Sequence, residues 1–267
     1  MEKLLKSMIV SRRRNILVRK AARMAERFLN AYHNTGFYEF DRNGESFALE
    51  TFARHASGDV VIWDVGAHHG EYAIEAHQIL PGARIISFEI VPSVARQLRE
   101  KLQHDWFELR EIGLSDQPGS VEVVWNKRAD TTNSIAPMMS EFFDHEELET
   151  VTCPVSTIDL LVKEGVPPPT FLKIDVEGHE AAVLDGASAL LAGKHAPLMI
   201  QFEYGMTWIP SSRLLHDIQE KLEKAGYSVG RLYPDHVEFK EYYWSDEHFR
   251  MGNMIAVRDA ELKAALS

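Results

Sequence analysis

From residue 58 onward, short apolar runs alternate with segments in which apolar residues recur at helical spacing. Apolar runs bounded by turn residues are typical of buried strands, and a period of about 3.6 residues is typical of helices that face a core. Buried strands are predicted over residues 60–65, 84–88, 107–112, 170–175 and 197–203. Helices are predicted over residues 71–80, 92–104, 156–164, 179–191 and 211–225.

Four further segments are predicted to be strands. Period-two alternation over residues 120–125 and 149–155 predicts an added hairpin-like pair. Residues 227–233 and 253–257 predict two closing strands, and the lack of a helical pattern between them indicates an antiparallel edge. The whole pattern predicts an α/β, Rossmann-like fold: a seven-stranded, mostly parallel sheet with an antiparallel edge strand and helices on both faces. Ligands of such sheets bind at the carboxyl ends of the strands.

The first 27 residues differ in charge from the rest of the chain. They hold nine Lys or Arg against two Glu, a net of +7, whereas the whole chain carries −11 and the remaining 240 residues therefore −18. An acidic body argues against a general nucleic-acid binder, because a phosphate backbone needs a basic surface. We expect residues 1–57 to form a basic, helical N-terminal segment that packs on the core, and residues 58–267 to form the main domain.

The apolar residues of this basic segment recur at helical spacing, which allows two interpretations besides a transit peptide. An amphipathic helix could pack on the domain with its arginines in water, or it could dock on an anionic membrane or partner. We expect packing, which would bury a stripe of four residues: Ile16, Leu17, Met24 and Phe28. The stripe continues into four aromatic residues that are predicted to form a lid: Tyr32, Phe37, Tyr38 and Phe40.

The composition limits the class of protein and the cellular compartment in which we expect it. Hydrophobic residues make up 45% of the chain and charged residues 26%, as in ordinary globular domains. The single cysteine, Cys153, cannot form an internal disulfide, so we expect a reducing, cytoplasmic compartment. No apolar stretch approaches the roughly 18 residues of a transmembrane helix. The sequence also allows a homo-oligomer, because exposed aromatic residues often complete a dimer contact.

A glycine turn follows the first predicted strand. Asp64, Gly66 and Gly70 have the spacing D-x-G-x-x-x-G, and Glu89 ends the second predicted strand. Glycines there let the backbone approach a ligand, and an acid at the next strand end can accept two ribose hydroxyls. An acid before the first glycine would repel a pyrophosphate, so a nucleoside with a sulfonium and an ammonium group fits better. The alternative is a turn chosen for packing alone.

These segments resemble the class I S-adenosylmethionine (SAM)-dependent methyltransferases, and more narrowly the FkbM-type family. The resemblance covers about residues 58–205 and is carried by the segments 63–72, 86–92 and 171–180, the last containing Lys-Ile-Asp-Val-Glu-Gly. It implies a class I methyltransferase fold with SAM as cofactor. The cofactor-binding residues that it implies are Asp64, Gly66, Ala67, His68, Gly70, Tyr72, Glu89, Ser115 and Asp116.

Within that set, the resemblance assigns the methionine part of the cofactor to Asp64 and the turn from Gly66 to Gly70, and the ribose to Glu89. His68 departs from the family pattern, which often has Asn there. Asp116 would lie by the adenine, with Ser115 as a weaker candidate. The sequence Ser-Asp-Gln-Pro-Gly is also typical of a turn that binds no ligand.

An acidic cluster follows the predicted strand 170–175. Asp175, Glu177 and His179 are the candidate catalytic residues, because methyl transfer to a hydroxyl needs a base. His179 has a suitable ordinary pKa, and Asp175 or Glu177 could serve if burial raises theirs. Helix capping by Glu177, His179 and Glu180 is compatible with this role. We expect no metal, although the groups could ligate a divalent cation.

Three further candidates surround this cluster. Lys173 is predicted to pair with an acid, Glu203 could line an acceptor pocket, and the polar loop Thr131–Ser134 could cover it. Exposed aromatic residues more often complete a core or a dimer contact, but some could form a sugar platform. These aromatic candidates are His33, Tyr38, Trp208 and the run Tyr242, Tyr243 and Trp244.

Taken together, the predicted activity is SAM-dependent O-methylation of a hydroxyl. The family resemblance points to a sugar in a glycan or glycoconjugate as acceptor. The alternatives are a polyketide or other small natural product as acceptor, and a non-catalytic cofactor-binding partner domain. Peripheral membrane contact through the basic segment is the less favoured alternative to packing.

Overall fold

The computed structural model describes residues 2–126 and 148–267, so the loop Thr131–Ser134 lies outside the described residues. The strands are β1 (Val61–Val65), β2 (Arg84–Phe88), β3 (Phe107–Arg110), β4 (Gly113–Leu114), β5 (Gly119–Asn126), β6 (Leu148–Ser156), β7 (Phe171–Ile174), β8 (Met199–Tyr204), β9 (Ser228–Leu232), β10 (Val237–Phe239) and β11 (Gly252–Val257). The helices are α1 (Glu2–Ser11), α2 (Ile16–Tyr32), α3 (Glu45–His55), α4 (Glu71–Ile79), α5 (Pro92–Lys101), α6 (Ile158–Lys163), α7 (Glu180–Asp185), α8 (Ser188–Ala192), α9 (Leu215–Lys224) and α10 (Ala260–Leu266).

The main sheet has the order β10-β9-β11-β8-β7-β1-β2-β3. Strands β3, β2, β1, β7 and β8 pair in parallel, and β11, β9 and β10 pair antiparallel. This confirms the α/β, mostly parallel fold with an antiparallel edge. The described sheet has eight strands rather than seven, because Val237–Phe239 pairs with β9. The predicted hairpin-like pair is also confirmed: β5 pairs with β6 and, together with β4, forms a separate three-stranded sheet.

Two apolar cores cover the two faces of the main sheet, as the alternation of side chains along a strand requires. Trp63, Ile86 and Leu172 are buried in one core, which includes α7 and α9. Ile62, Ile85 and Phe171 are buried in the other, which includes α3 and α4. The single helix predicted over residues 179–191 is two short helices, α7 and α8, with Gly186 as the C-cap of the first.

The N-terminal segment divides into two parts with different packing. Helix α3 lies in the core, where Ala48, Leu49 and Phe52 are fully buried. Helices α1 and α2 bury no side chain. The expected burial of the stripe is therefore wrong: its members are 57–70% exposed, namely Ile16, Leu17, Met24 and Phe28. The division of the chain at residue 57 stays a prediction. No helix among the described residues is long and apolar enough to cross a membrane.

Candidate active site

A cavity of about 510 Å³ lies at the carboxyl ends of β1, β2 and β7. This is the place where parallel sheets bind ligands, and the volume is that of a small-molecule site. The order β2-β1-β7 puts the three strand ends side by side, so residues that are more than 100 positions apart in the chain meet there. Seven of the predicted site residues line the cavity: Gly66, Ala67, His68, Tyr72, Glu89, Asp175 and Glu177.

The glycine turn after β1 forms the floor of the cavity. Gly66 has a φ of +86°, and a Cβ there would overlap the backbone carbonyl of Asp175. The amides of Gly66 and Ala67 both donate to the carbonyl of Phe88, each at 3.0 Å. The turn therefore needs glycine at position 66 for both its conformation and its close approach to β7. Gly70 lies outside the lining and begins α4 in a left-handed conformation.

Glu89 is oriented by backbone amides. Its Oε2 accepts from the His68 amide at 2.9 Å and its Oε1 from the Val91 amide at 2.8 Å. Burial raises the pKa of the carboxyl to about 7, although both hydrogen bonds favour the charged form. Each oxygen still has a lone pair that can accept a hydrogen bond from a ligand hydroxyl. This position, in the lining at the end of β2, suits the predicted contact with a ribose.

Asp64 lies beneath the turn rather than in the lining. It is fully buried, accepts from the Ser87 hydroxyl at 3.2 Å, and has an oxygen 3.3 Å from Lys173 Nζ. Lys173 Nζ also lies 3.5 Å from Asp175 Oδ2. Burial lowers the pKa of Lys173, but Asp64, Asp175 and Glu45 more than offset this and hold it above its ordinary value. Asp64 therefore supports Lys173, which the sequence predicted only as the partner of an acid.

Tyr72 carries a buried polar atom that lacks a partner. Its hydroxyl accepts and donates no hydrogen bond among the described residues, although it is shielded from solvent. The ring lies 5.1 Å from Lys173 Nζ and contacts Phe40 edge-on. Since the residue lines the cavity, a ligand group can satisfy this hydroxyl.

The opposite end of the cavity is apolar. Its apolar lining includes Ile90, Ile112 and Leu114. Ser115 and Asp116, predicted beside the adenine, are outside the lining. Asp116 is exposed and accepts from the Ser115 hydroxyl at 3.0 Å, as its turn-forming sequence also allows. Their adenine contact stays a prediction.

Three carboxylates gather where β7 and β8 end. Asp175, Glu177 and Glu203 each offer an oxygen within 4.8 Å of the others, a spacing at which they could ligate one cation. Burial, followed by repulsion from Asp175 and Glu180, raises the pKa of Glu177 to about 8. Burial likewise raises the pKa of Glu203. Glu177 has a φ of +54°, a strained conformation for a non-glycine residue and one that is found at functional sites.

Glu180 holds the turn that carries Glu177. Its carboxyl is fully buried and accepts from the Val176 amide at 2.9 Å and from the Gly178 amide at 3.0 Å. A Cβ on Gly178 would overlap the carbonyl of Thr207. Glu180 thus ties the turn that precedes α7, and Glu177 faces the cavity. The predicted helix capping by this segment is wrong, because the side chain of the N-cap residue, His179, accepts no hydrogen bond from the first amides of α7.

His179 does not face the cavity. Its Nε2 lies 2.9 Å from the Ser115 hydroxyl, and it begins α7 as the N-cap residue. Burial lowers its pKa, so the imidazole is neutral at physiological pH. Of the three predicted catalytic residues, the structure brings Asp175 and Glu177 to the cavity and leaves His179 behind the turn.

The lining includes acids that the sequence did not reveal as site residues. Glu45, Glu71 and Glu75 face the cavity, so six carboxyl residues and one lysine line it within the described residues. Glu45 accepts from the Gln201 side chain at 2.6 Å. Glu45 lies at the start of α3, far from every motif, so the sequence did not indicate it as a site residue. Tyr38 and Phe40, from the predicted lid, do line the cavity.

These features fit SAM. An acidic lining attracts a ligand with a sulfonium and an ammonium, and would repel a phosphate. Glu89 suits the predicted ribose contact, and the lining also offers apolar side chains for an adenine and the unpartnered Tyr72 hydroxyl for the polar methionine end. The fold and this site together fit a class I SAM-dependent methyltransferase domain.

Comparison with known proteins agrees on the family. The model of the FkbM methyltransferase domain matches residues 64–229, and the chain belongs to that family. A curated relative, the hexuronic acid methyltransferase AglP of Haloferax volcanii, is 30% identical over 156 residues, or 57% of this chain and 59% of the relative. The match thus spans less than two thirds of that relative.

Solved structures that are similar to this chain have low sequence identity to it. SMU.1697c from Streptococcus mutans, in complex with S-adenosylhomocysteine (SAH), is 7% identical, with a TM-score of 0.46 over 81% of this chain and 98% of that one. A TehB-like SAM-dependent methyltransferase from Corynebacterium glutamicum is 10% identical, with a TM-score of 0.43 over 90% and 98% of the two chains.

Proposed function

We propose that this protein transfers a methyl group from SAM to a hydroxyl of a sugar. The observation that carries the proposal is Glu177: it lines the cavity, its pKa is raised to about 8, and a strained turn fixes it in place. A carboxylate with such a pKa is a strong enough base to take a hydroxyl proton near neutral pH.

The cofactor supplies an electrophilic methyl on a sulfonium, which becomes a neutral thioether when the methyl leaves. The residues of this chain do the rest. Glu89 and the glycine turn hold the nucleoside, and Glu177 accepts the acceptor's proton as its oxygen gains the methyl group. Asp175, whose Oδ2 lies 3.5 Å from Lys173 Nζ, helps to orient the acceptor. Holding the two reactants in line supplies much of the rate enhancement.

Two features support a sugar as the acceptor. Carboxylates such as Asp175, Glu177 and Glu203 are good acceptors for sugar hydroxyls, and Tyr38, which is 75% exposed at the cavity, offers an aromatic platform. The relative AglP is by its name a hexuronic acid methyltransferase. We therefore place hexuronic acids and their neutral counterparts first among candidate acceptors.

The charge of the site argues for an ether product rather than a methyl ester. A hydroxyl acceptor needs a base, and Glu177 provides one. A carboxylate acceptor needs none and would be repelled by the three acids at the end of β7 and β8. If the sugar is a hexuronic acid, its carboxylate points away from Glu177.

An acceptor panel tests the proposal. The protein is incubated with ¹³C-methyl SAM and with methyl glycosides, hexuronic acid glycosides and phenolic polyketides, and products are analysed by mass spectrometry and NMR. We expect an O-methyl ether on a sugar. Methylation of the polyketides alone would show that the acceptor is a small natural product and not a sugar. A methyl ester as product would show that the acceptor is a carboxylate, which needs no base. SAH binding without transfer to any acceptor would favour a non-catalytic domain.

A further inference from the structure

We propose that helix α2, assisted by α1, docks the protein on an anionic lipid bilayer. This inference is independent of the acceptor and of the proposed reaction. It starts from the finding that the predicted burial of the N-terminal stripe does not occur.

Helix α2 separates its side chains into two halves. At about 100° per residue, Leu17, Met24 and Phe28 fall on one side together with smaller apolar residues. The opposite side carries four basic residues and one acid: Arg19, Lys20, Arg23, Arg27 and Glu26. A basic polar face opposite an apolar face is the pattern of helices that lie in a membrane interface.

The apolar half of α2 faces solvent. Leu17 and Met24 are each 70% exposed and Phe28 is 69% exposed. Phe28 and Tyr32 stack with ring centroids 6.4 Å apart, which makes a continuous aromatic surface one turn long. Helix α1 adds five exposed apolar residues: Leu4, Leu5, Met8, Ile9 and Val10. Exposed apolar surface of this extent marks an interaction site.

The polar half of α2 is the side attached to the body. Asn30 shares that side with Arg19 and Arg23, and its Oδ1 accepts from Arg250 Nε at 3.1 Å. Just beyond the helix, the His33 carbonyl accepts from two nitrogens of the buried Arg231, at 3.0 and 2.8 Å. The helix is thus anchored at its C-terminal end, with its apolar side turned away from the domain.

Charge complementarity indicates which partner binds this surface. Residues 1–27 carry +7 and the rest of the chain −18. An anionic bilayer attracts the basic residues and accepts the apolar half at the same time, and its negative charge keeps the acidic body in water. The acidic body of a second copy could neutralise the arginines, but it would leave the apolar half uncovered.

Docking also positions the cavity. Tyr38, which lines it, follows the end of α2 by six residues, a chain length of at most about 20 Å. The mouth of the cavity therefore lies near the bilayer when α2 is docked.

Co-sedimentation of the full chain with vesicles tests the proposal. We expect binding to phosphatidylcholine vesicles that contain phosphatidylglycerol at low salt, weak binding to phosphatidylcholine alone, and release at high salt. Each basic residue near an anionic leaflet strengthens binding about fivefold, so Arg19→Glu/Arg23→Glu/Arg27→Glu should weaken it at least about 100-fold. Leu17→Glu/Phe28→Glu should also abolish binding.

Matched controls separate docking from general charge. Arg96→Glu/Lys163→Glu/Lys194→Glu makes the same charge change at exposed positions of the body and should bind far better than the α2 variant. SAH affinity and thermal unfolding should be unchanged in the α2 variants, because α2 buries no side chain. Equal binding by both triple variants, or no pelleting with anionic vesicles at low salt, would overturn the proposal. So would a dimer that forms without lipid and is lost in the α2 variants, if no vesicle binding accompanies it.

Discussion

The buried carboxyl of Glu180 accepts a hydrogen bond from the amide of Gly178 at 3.0 Å, and this contact fixes the turn in which Glu177 faces the cavity. A second hydrogen bond, from the Val176 amide, ties the other end of the same turn. Burial raises the pKa of Glu180 to about 7, although the hydrogen bonds from these amides favour the charged form. Glu180 is therefore a positioning residue for Glu177.

We expect Glu180→Ala to destabilise the protein by about 2–3 kcal/mol, because two buried amides lose their acceptor. The rate of methyl transfer should fall, while SAH affinity changes little, since Glu180 is not part of the lining. Urea unfolding and isothermal titration calorimetry measure the two effects. Glu164→Ala, an exposed glutamate at the end of α6, is the control. An unaltered rate would show that the turn keeps its shape without Glu180.

Glu89→Ala should weaken SAH binding by about 2–3 kcal/mol, or roughly 30- to 150-fold, if the carboxylate accepts from the ribose hydroxyls. Calorimetric titration of both proteins checks this. Glu100→Ala, an exposed glutamate on α5, should bind as wild type does. Equal affinity in a folded Glu89→Ala protein would remove Glu89 from the binding site.

The rate of methyl transfer should rise with pH through about 8. Glu177 has its pKa raised to about 8 by burial and by its acidic neighbours, so the proton-accepting form is the minor one at pH 7 and becomes the major one above 8. A pH–rate profile under single-turnover conditions shows this. A neutral His179 base would instead give a rate that is already maximal near pH 7, because burial lowers its pKa. His179→Gln should leave the rising profile in place.

Activity should survive chelation by EDTA. The oxygens of Asp175, Glu177 and Glu203 are close enough for a divalent cation, but transfer by Glu177 needs none. The assay is repeated after dialysis against EDTA and again with added Mg²⁺. Loss with chelation and recovery with Mg²⁺ would reassign these residues from base to metal ligands.

Much of the sheet could be predicted because its strands obey simple local rules. β1, β2 and β7 are short, mostly apolar runs that are buried except at the starts of β1 and β2, and each is followed by a polar or glycine residue. Since parallel strands end at one edge, the sequence alone was enough to place the motifs at Gly66, Glu89 and Asp175 together. β10 escaped prediction because it has only three residues.

Side-chain direction could not be predicted in the same way. His179 and Glu177 are two residues apart, yet the left-handed conformation of Glu177 sends one to the cavity and the other to Ser115. Glu45 reaches the cavity from α3 only through tertiary packing. The pattern of α2 showed which half was apolar, but not that its polar half is the one attached to the body.

The most direct test of the account is single-turnover methyl transfer by Glu177→Gln, with SAH affinity measured in parallel. Gln keeps the size of the side chain but cannot accept the proton. We predict a rate reduced about 10²- to 10⁴-fold, the usual contribution of a positioned base, with SAH affinity within about twofold of wild type. A rate close to that of the wild-type protein, at unchanged affinity, would contradict the assignment of Glu177 as the base.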